Sequence, residues 1–175
     1  MKIRVAKTAG FCFGVRNALE ITERELRKHP GEPLCTYGPL IHNRDVIQRL
    51  EEKGVRVISC PEETRSGERV VIRAHGIGRQ VYEALKQQGA ILIDATCPFV
   101  KKIHRIVEKH SAVGESILIL GNPEHPEVQG IMGWSYSPCM IMEGPEDPIP
   151  QFLRDHPAEK CCLVAQTTFH QENFQ

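Results

Sequence analysis

The chain has 175 residues with 22 basic and 22 acidic side chains, 41% hydrophobic and 25% charged, the profile of an ordinary globular protein. Zero formal net charge without a basic stripe argues against nucleic acid as a partner. No apolar run approaches the ~18 residues of a membrane span, and MKIRVAKTAG lacks a signal-peptide core, so a cytoplasmic protein without membrane contact is expected.

Short runs rich in β-branched residues read as strands: IRVA, LCTYG, VRVI, RVVIRA, AILIDA, SILILG, CMIME and CCLVAQ. Helical periodicity lies between them. Arg16–Lys28 places Ala18, Leu19, Thr22 and Leu26 on one face, and Asn43–Lys53 groups Val46, Ile47 and Leu50. Gln80–Gln87 and Val100–His110 follow the same rule. Gly54, Gly89 and Gly114 stand where helices end. The expected class is α/β with mostly parallel sheets.

The halves repeat one another. Cys12 precedes a helix, a strand and GPLIH, ending at His42; Cys97 precedes a helix, a strand and GNPEH, ending at His125. The Cys-to-His spacings are 30 and 28. A later strand leads to His75 in the first half and to Thr167 in the second. This is a duplication with a period of about 85 residues. It divides the chain into repeat domains 1–96 and 97–175, the second C-terminally incomplete. By the same rule a third cysteine is expected at about position 190, beyond Gln175, so the chain reads as a piece of a longer protein.

In open α/β sheets, ligands bind beyond the carboxyl ends of the strands. Cys97, His42, His75, His125 and Thr167 all follow strands there. The seven cysteines contain no CxxC pair, so a metal site would be assembled from cysteines distant in sequence. Cys12 lies between glycines in GFCFGV. Cys97 opens a helix with Pro98 in its first turn, where the dipole favours an anionic sulfur. Both read equally as small buried hydrophobes, and core packing or incidental exposure is the better account of Cys35, Cys60, Cys139, Cys161 and Cys162. His29, His110 and His156 look like helix C-terminal residues, His104 like an ordinary helix residue, and His170 is uninformative. Three equivalent strand-end histidines suit a phosphate-rich anion through charge-assisted hydrogen bonds, with metal ligation as the competing idea. Glu127 is either a first-turn glutamate favoured by the dipole or a proton donor.

GFCFGV, GPLIHN, RAHG, DATCPFV, HPEVQG and AQTT, in this order and spacing, resemble the 4-hydroxy-3-methylbut-2-enyl diphosphate reductase (LytB/IspH) family over essentially the whole chain. The resemblance implies a trefoil of three α/β domains around a central 4Fe–4S cluster, the third domain being absent here. It implies Cys12 and Cys97 as two of three cluster ligands, the third lying beyond Gln175. His42 and His75 would hold the substrate diphosphate, and His125 would join that pocket. Glu127 would supply or relay protons to the leaving hydroxyl, and Thr167 would position that hydroxyl and water. The implied reaction is reductive dehydroxylation of an allylic diphosphate to isopentenyl and dimethylallyl diphosphates, with ferredoxin or flavodoxin as electron donor. Alternatives are a non-catalytic iron–sulfur or metal-binding module, a metal-dependent phosphohydrolase, and an inactive remnant. The 175-residue chain alone is expected to hold a cluster poorly and to lack full activity.

Overall fold

The computed structural model describes residues 3–6, 9–144, 146–148, 151–155 and 160–169, which leaves His156 and His170 outside the described residues. Two parallel sheets carry the fold. The first has the order β2-β1-β3-β4, from β1 (Leu34–Tyr37), β2 (Val55–Ile58), β3 (Arg69–Ile72) and β4 (Ile91–Asp94). The second has the order β6-β5-β7, from β5 (Ser116–Leu120), β6 (Cys139–Met142) and β7 (Cys161–Ala165). Every pairing is parallel. In both sheets the strand that precedes the G-x-x-x-His stretch is flanked by the next two strands in sequence. The duplicated motif order therefore has a duplicated topology beneath it.

Helices α1 (Phe13–Lys28) and α2 (Arg44–Glu52) contribute Ala18 and Leu50 to a core shared with Leu34 and Val71 of the first sheet. Helix α3 (Arg79–Gln87) buries Leu85 in a second core with Cys35, Val70 and Ile72. Strand alternation makes this possible, because Val70 and Val71 point to opposite faces. Helix α4 (Pro98–Ser111) leaves the first sheet at β4 but packs on the second. Its Val107 joins Ile117, Ile119 and Val164, together with Val128 and Ile131 of α5 (Pro126–Met132). A short α6 (Gln151–Asp155) precedes β7. No described helix is long and apolar enough to cross a membrane.

Three expectations change. IRVA is not a strand: Ile3 and Val5 are 76% and 80% exposed, and no described strand lies beside them. β-Propensity makes a strand only when a neighbouring edge supplies the ladder. Helix α1 starts three residues before the expected Arg16, because Gly14 sits inside the helix rather than in a loop. A Cβ on Gly14 would lie 2.7 Å from Cys97 Sγ, so close packing against that sulfur excludes any side chain. Finally, β4 is an exposed edge, with Ile91 44% accessible, although its apolar run reads as buried. Gly54, Gly89 and Gly114 do follow helix ends, at φ +88°, +77° and +84°.

Candidate functional site

Cys12 and Cys97 occupy the same structural position. Each is the N-cap of its helix, α1 or α4, and in neither does the side chain bond to the helix. Both thiols are free, and both line one cavity of about 630 Å³ with Phe13, Phe99, Ile103 and Thr167. Cys97 is fixed from the other side, since its backbone N–H donates to Ala74 O at 2.9 Å, one residue before His75. None of the other five cysteines lines this cavity. Burial pushes the Cys35 thiol up to about 12 and raises Cys139, Cys161 and Cys162 as well, which keeps these sulfurs protonated.

His42, His75 and His125 leave β1, β3 and the β5–α5 turn, yet they meet. Their ring centroids stand 4.5 Å (42–75), 5.6 Å (42–125) and 5.4 Å (75–125) apart. Close backbone approach brings the two sheets' turns together. A Cβ on Gly133 would fall 2.5 Å from Gly78 Cα, and Arg79 N–H donates to Gly133 O at 3.2 Å. Burial, reinforced by His42, Arg73 and His125, pushes His75 down to about 4. Burial also lowers His125. His75 is therefore a neutral ring at pH 7, and its buried Nδ1 has no partner among the described residues.

One hydrogen bond separates the two readings of this trio. Glu127 N–H donates to His125 Nδ1 at 3.2 Å, the N-cap contact of α5. Nδ1 is then the acceptor, and a neutral ring carries its proton on Nε2. That nitrogen is an N–H donor, suited to an anion. A metal ligand has the opposite pattern, with the far nitrogen donating to a carbonyl or carboxylate.

Glu127 is 2% exposed. One carboxylate oxygen accepts from Thr167 N–H at 2.6 Å and the other from the Thr167 hydroxyl at 2.8 Å. Thr167 also lines the thiol cavity. The Glu127–Thr167 pair thus joins the imidazole trio to the two sulfurs.

Sequence reading passed over two residues. His104 is not an ordinary helix residue: it is 7% exposed, and burial pushes it down to about 4. It stacks on Trp134 (centroids 5.7 Å, planes 23° apart) and lies against Gly76 and Gly130. The available signal was its place in the buried stripe Val100, His104, Val107, Ser111. Arg73, in RAHG, lies against Gly38 and donates to Gly76 O at 3.4 Å. A separate cavity of about 280 Å³, walled by Asp94, Lys101, His104 and Trp134, holds none of the expected site residues.

Residues 3–175 match the family model described as LytB protein. This chain belongs to the LytB family. It is 44% identical to the 4-hydroxy-3-methylbut-2-enyl diphosphate reductase of Caldanaerobacter subterraneus subsp. tengcongensis, over all of this chain and 60% of that protein. It is 37% identical to the corresponding reductase of Clostridioides difficile, over 99% of this chain and 61% of that protein. A solved (E)-4-hydroxy-3-methyl-but-2-enyl diphosphate reductase, described as the terminal enzyme of the non-mevalonate pathway, superposes with a TM-score of 0.81. Its identity is 38%, over 98% of this chain and 60% of that one. The Plasmodium falciparum reductase gives 0.84 at 30% identity, over 96% and 52%. This LytB-family chain spans about 60% of the length of the curated relatives it matches.

Proposed function

We propose that this LytB-family chain carries the substrate-binding and proton-delivering part of a 4-hydroxy-3-methylbut-2-enyl diphosphate reductase, a cytoplasmic enzyme. It would convert its allylic diphosphate to isopentenyl and dimethylallyl diphosphates, with electrons from a ferredoxin or flavodoxin. The supporting observation is the Glu127–Thr167 pair, because it touches both halves of the chemistry. The backbone N–H of Glu127 donates to His125 on the imidazole side, and Thr167 lines the cavity of Cys12 and Cys97.

Two free thiols at helix N-caps, on one largely apolar cavity, fit a thiolate-held iron–sulfur cluster. Cys12, from repeat domain 1–96, and Cys97, from repeat domain 97–175, would hold it. When bound, a 4Fe–4S cluster supplies electrons one at a time and a Lewis-acidic iron.

The remaining work belongs to side chains of this chain. His125 offers an Nε2–H donor, and His42 and His75 complete a nest of imidazoles for the diphosphate. Anchoring that end orients the substrate hydroxyl toward Thr167. Loss of the hydroxyl as water consumes a proton; a protonated Glu127 would give its proton to the Thr167 hydroxyl oxygen as that hydroxyl gave its own to the leaving oxygen, reversing the hydrogen bond seen here. The phosphohydrolase reading would use the imidazoles as metal ligands, which the protonated Nε2 of His125 opposes.

The test is Glu127→Gln in the reductase that contains this chain. Turnover should fall by about 10²–10⁴, while iron and sulfide content stay at the unsubstituted level. Undiminished turnover would remove Glu127 from proton delivery, and loss of the cluster would make it structural instead.

A further inference from the structure

An imidazole trio poses a problem for a site that accepts a multiply charged anion. Neutral rings donate N–H groups but bring no net charge, and His75 and His125, packed beside His42, are both held below the ordinary histidine value. A fixed cation beside the trio would supply what they lack.

Arg73 is in that place. It leaves the end of β3 two residues before His75. Its guanidinium lies across Gly38, where a Cβ would fall 2.5 Å from Nη1, and its Nε donates to Gly76 O. Gly38 opens the stretch that ends in His42, and Gly76 follows His75. One side chain therefore spans the two turns that present these imidazoles. Gly38 takes φ +68° here, a conformation that glycine accepts without strain. Arg73 also walls a cavity of about 230 Å³ with Tyr37, Gln129 and Pro126, the last being the neighbour of His125.

Arg73 makes no ion pair among the described residues, whereas Arg56, Arg69 and Arg79 each meet a glutamate. It is half-buried, and burial holds it below the ordinary arginine value. The charge also reaches the trio, since it disfavours the protonated forms of both His75 and His125. A partly desolvated guanidinium with no carboxylate is a costly arrangement unless an anion visits.

We propose that Arg73 is a positioning and charge-supplying residue of the imidazole site, holding the His42 and His75 turns together and providing a permanent positive charge for the diphosphate. The inference rests on the anion-site reading above and extends it to a residue outside the strand-end histidine pattern.

Inorganic pyrophosphate is the probe, titrated calorimetrically into the full chain and into Arg73→Met, Arg73→Lys and His42→Gln, across a series of salt concentrations. Arg73→Met should weaken binding at least about tenfold and flatten its salt dependence, because screening acts on the charge that was removed. Arg73→Lys should recover most of the affinity and the original salt slope. A merely structural arginine would leave the salt slope unchanged in the methionine variant, and that result would overturn the proposal. Should Arg73→Met fail to fold, the comparison of Arg73→Gln with Arg73→Lys carries the same test. Binding abolished by His42→Gln but indifferent to Arg73→Met would overturn the role of Arg73 and leave the anion site standing. No binding by the unsubstituted chain would overturn both.

Discussion

At the scale of single residues, burial decides more than residue type. His29 caps α1, His110 stands in the last turn of α4, and His104 is buried in the middle of α4. Their local sequences look equally unremarkable, and only His104 is sealed between Trp134, Gly76 and Gly130. Its pKa of about 4 sets a pH dependence. The unfolded ring titrates near 6.5, so between these values the unfolded chain binds a proton that the native chain refuses. Stability is full above about pH 6.5 and is lost as pH falls toward 4, by up to ~3 kcal/mol from this ring. Urea midpoints at pH 7.5 and 4.5 should show the fall, and His104→Phe should make it shallower. An unaltered pH profile in that variant would contradict the assignment.

Gly14 is decided in the same way. In sequence it is one of two glycines flanking Cys12; in the fold it is the seat of Cys97 Sγ. Gly14→Ala should overpack this contact at ~1–3 kcal/mol, partly offset by the ~1 kcal/mol helical gain over glycine. The net expectation is a lower urea midpoint and lower iron content in the reconstituted protein. Gly144→Ala, with nothing within 4 Å of the added carbon, is the control.

At the scale of elements, periodicity located the helices but not their starts. The apolar stripe of α1 was legible from Arg16, and GFCFGV concealed the first turn because two glycines suggest a loop. The extra turn matters chemically, since it makes Cys12 an N-cap equivalent to Cys97. IRVA failed for the complementary reason: strand propensity was present, and no described strand offers it an edge. The contact between α5 and the turn before α3 is the element-scale joint. At Gly133 (φ −65°) an alanine has no conformational strain, only the 2.5 Å approach to Gly78 Cα. Gly133→Ala should cost ~1–3 kcal/mol and weaken pyrophosphate binding, because it separates the turns of His75 and His125. Unchanged affinity at a lowered urea midpoint would show that the trio survives without this joint.

At the scale of the whole molecule, turns from two parallel sheets of like strand order bring three imidazoles together, and the N-caps of α1 and α4 bring two thiols to one cavity. If Cys12 and Cys97 are the ligands, Cys12→Ser and Cys97→Ser should each strip iron and sulfide from the reconstituted protein. Cys35→Ser and Cys162→Ser should spare both, because those sulfurs are core atoms. Iron analysis of the four variants checks this, and cluster loss in a core-cysteine variant would redraw the ligand set.

The sequence by itself determined the α/β class, the duplication and the residues at the strand ends, because strand and helix periods and turn residues are local properties of the chain. Tertiary structure alone decided which of those residues touch. It tied Glu127 to Thr167 across forty positions, sealed His104 between Trp134, Gly76 and Gly130, and laid Arg73 across Gly38. Those outcomes depend on distances between residues far apart in sequence, and distance exists only after the two sheets have packed.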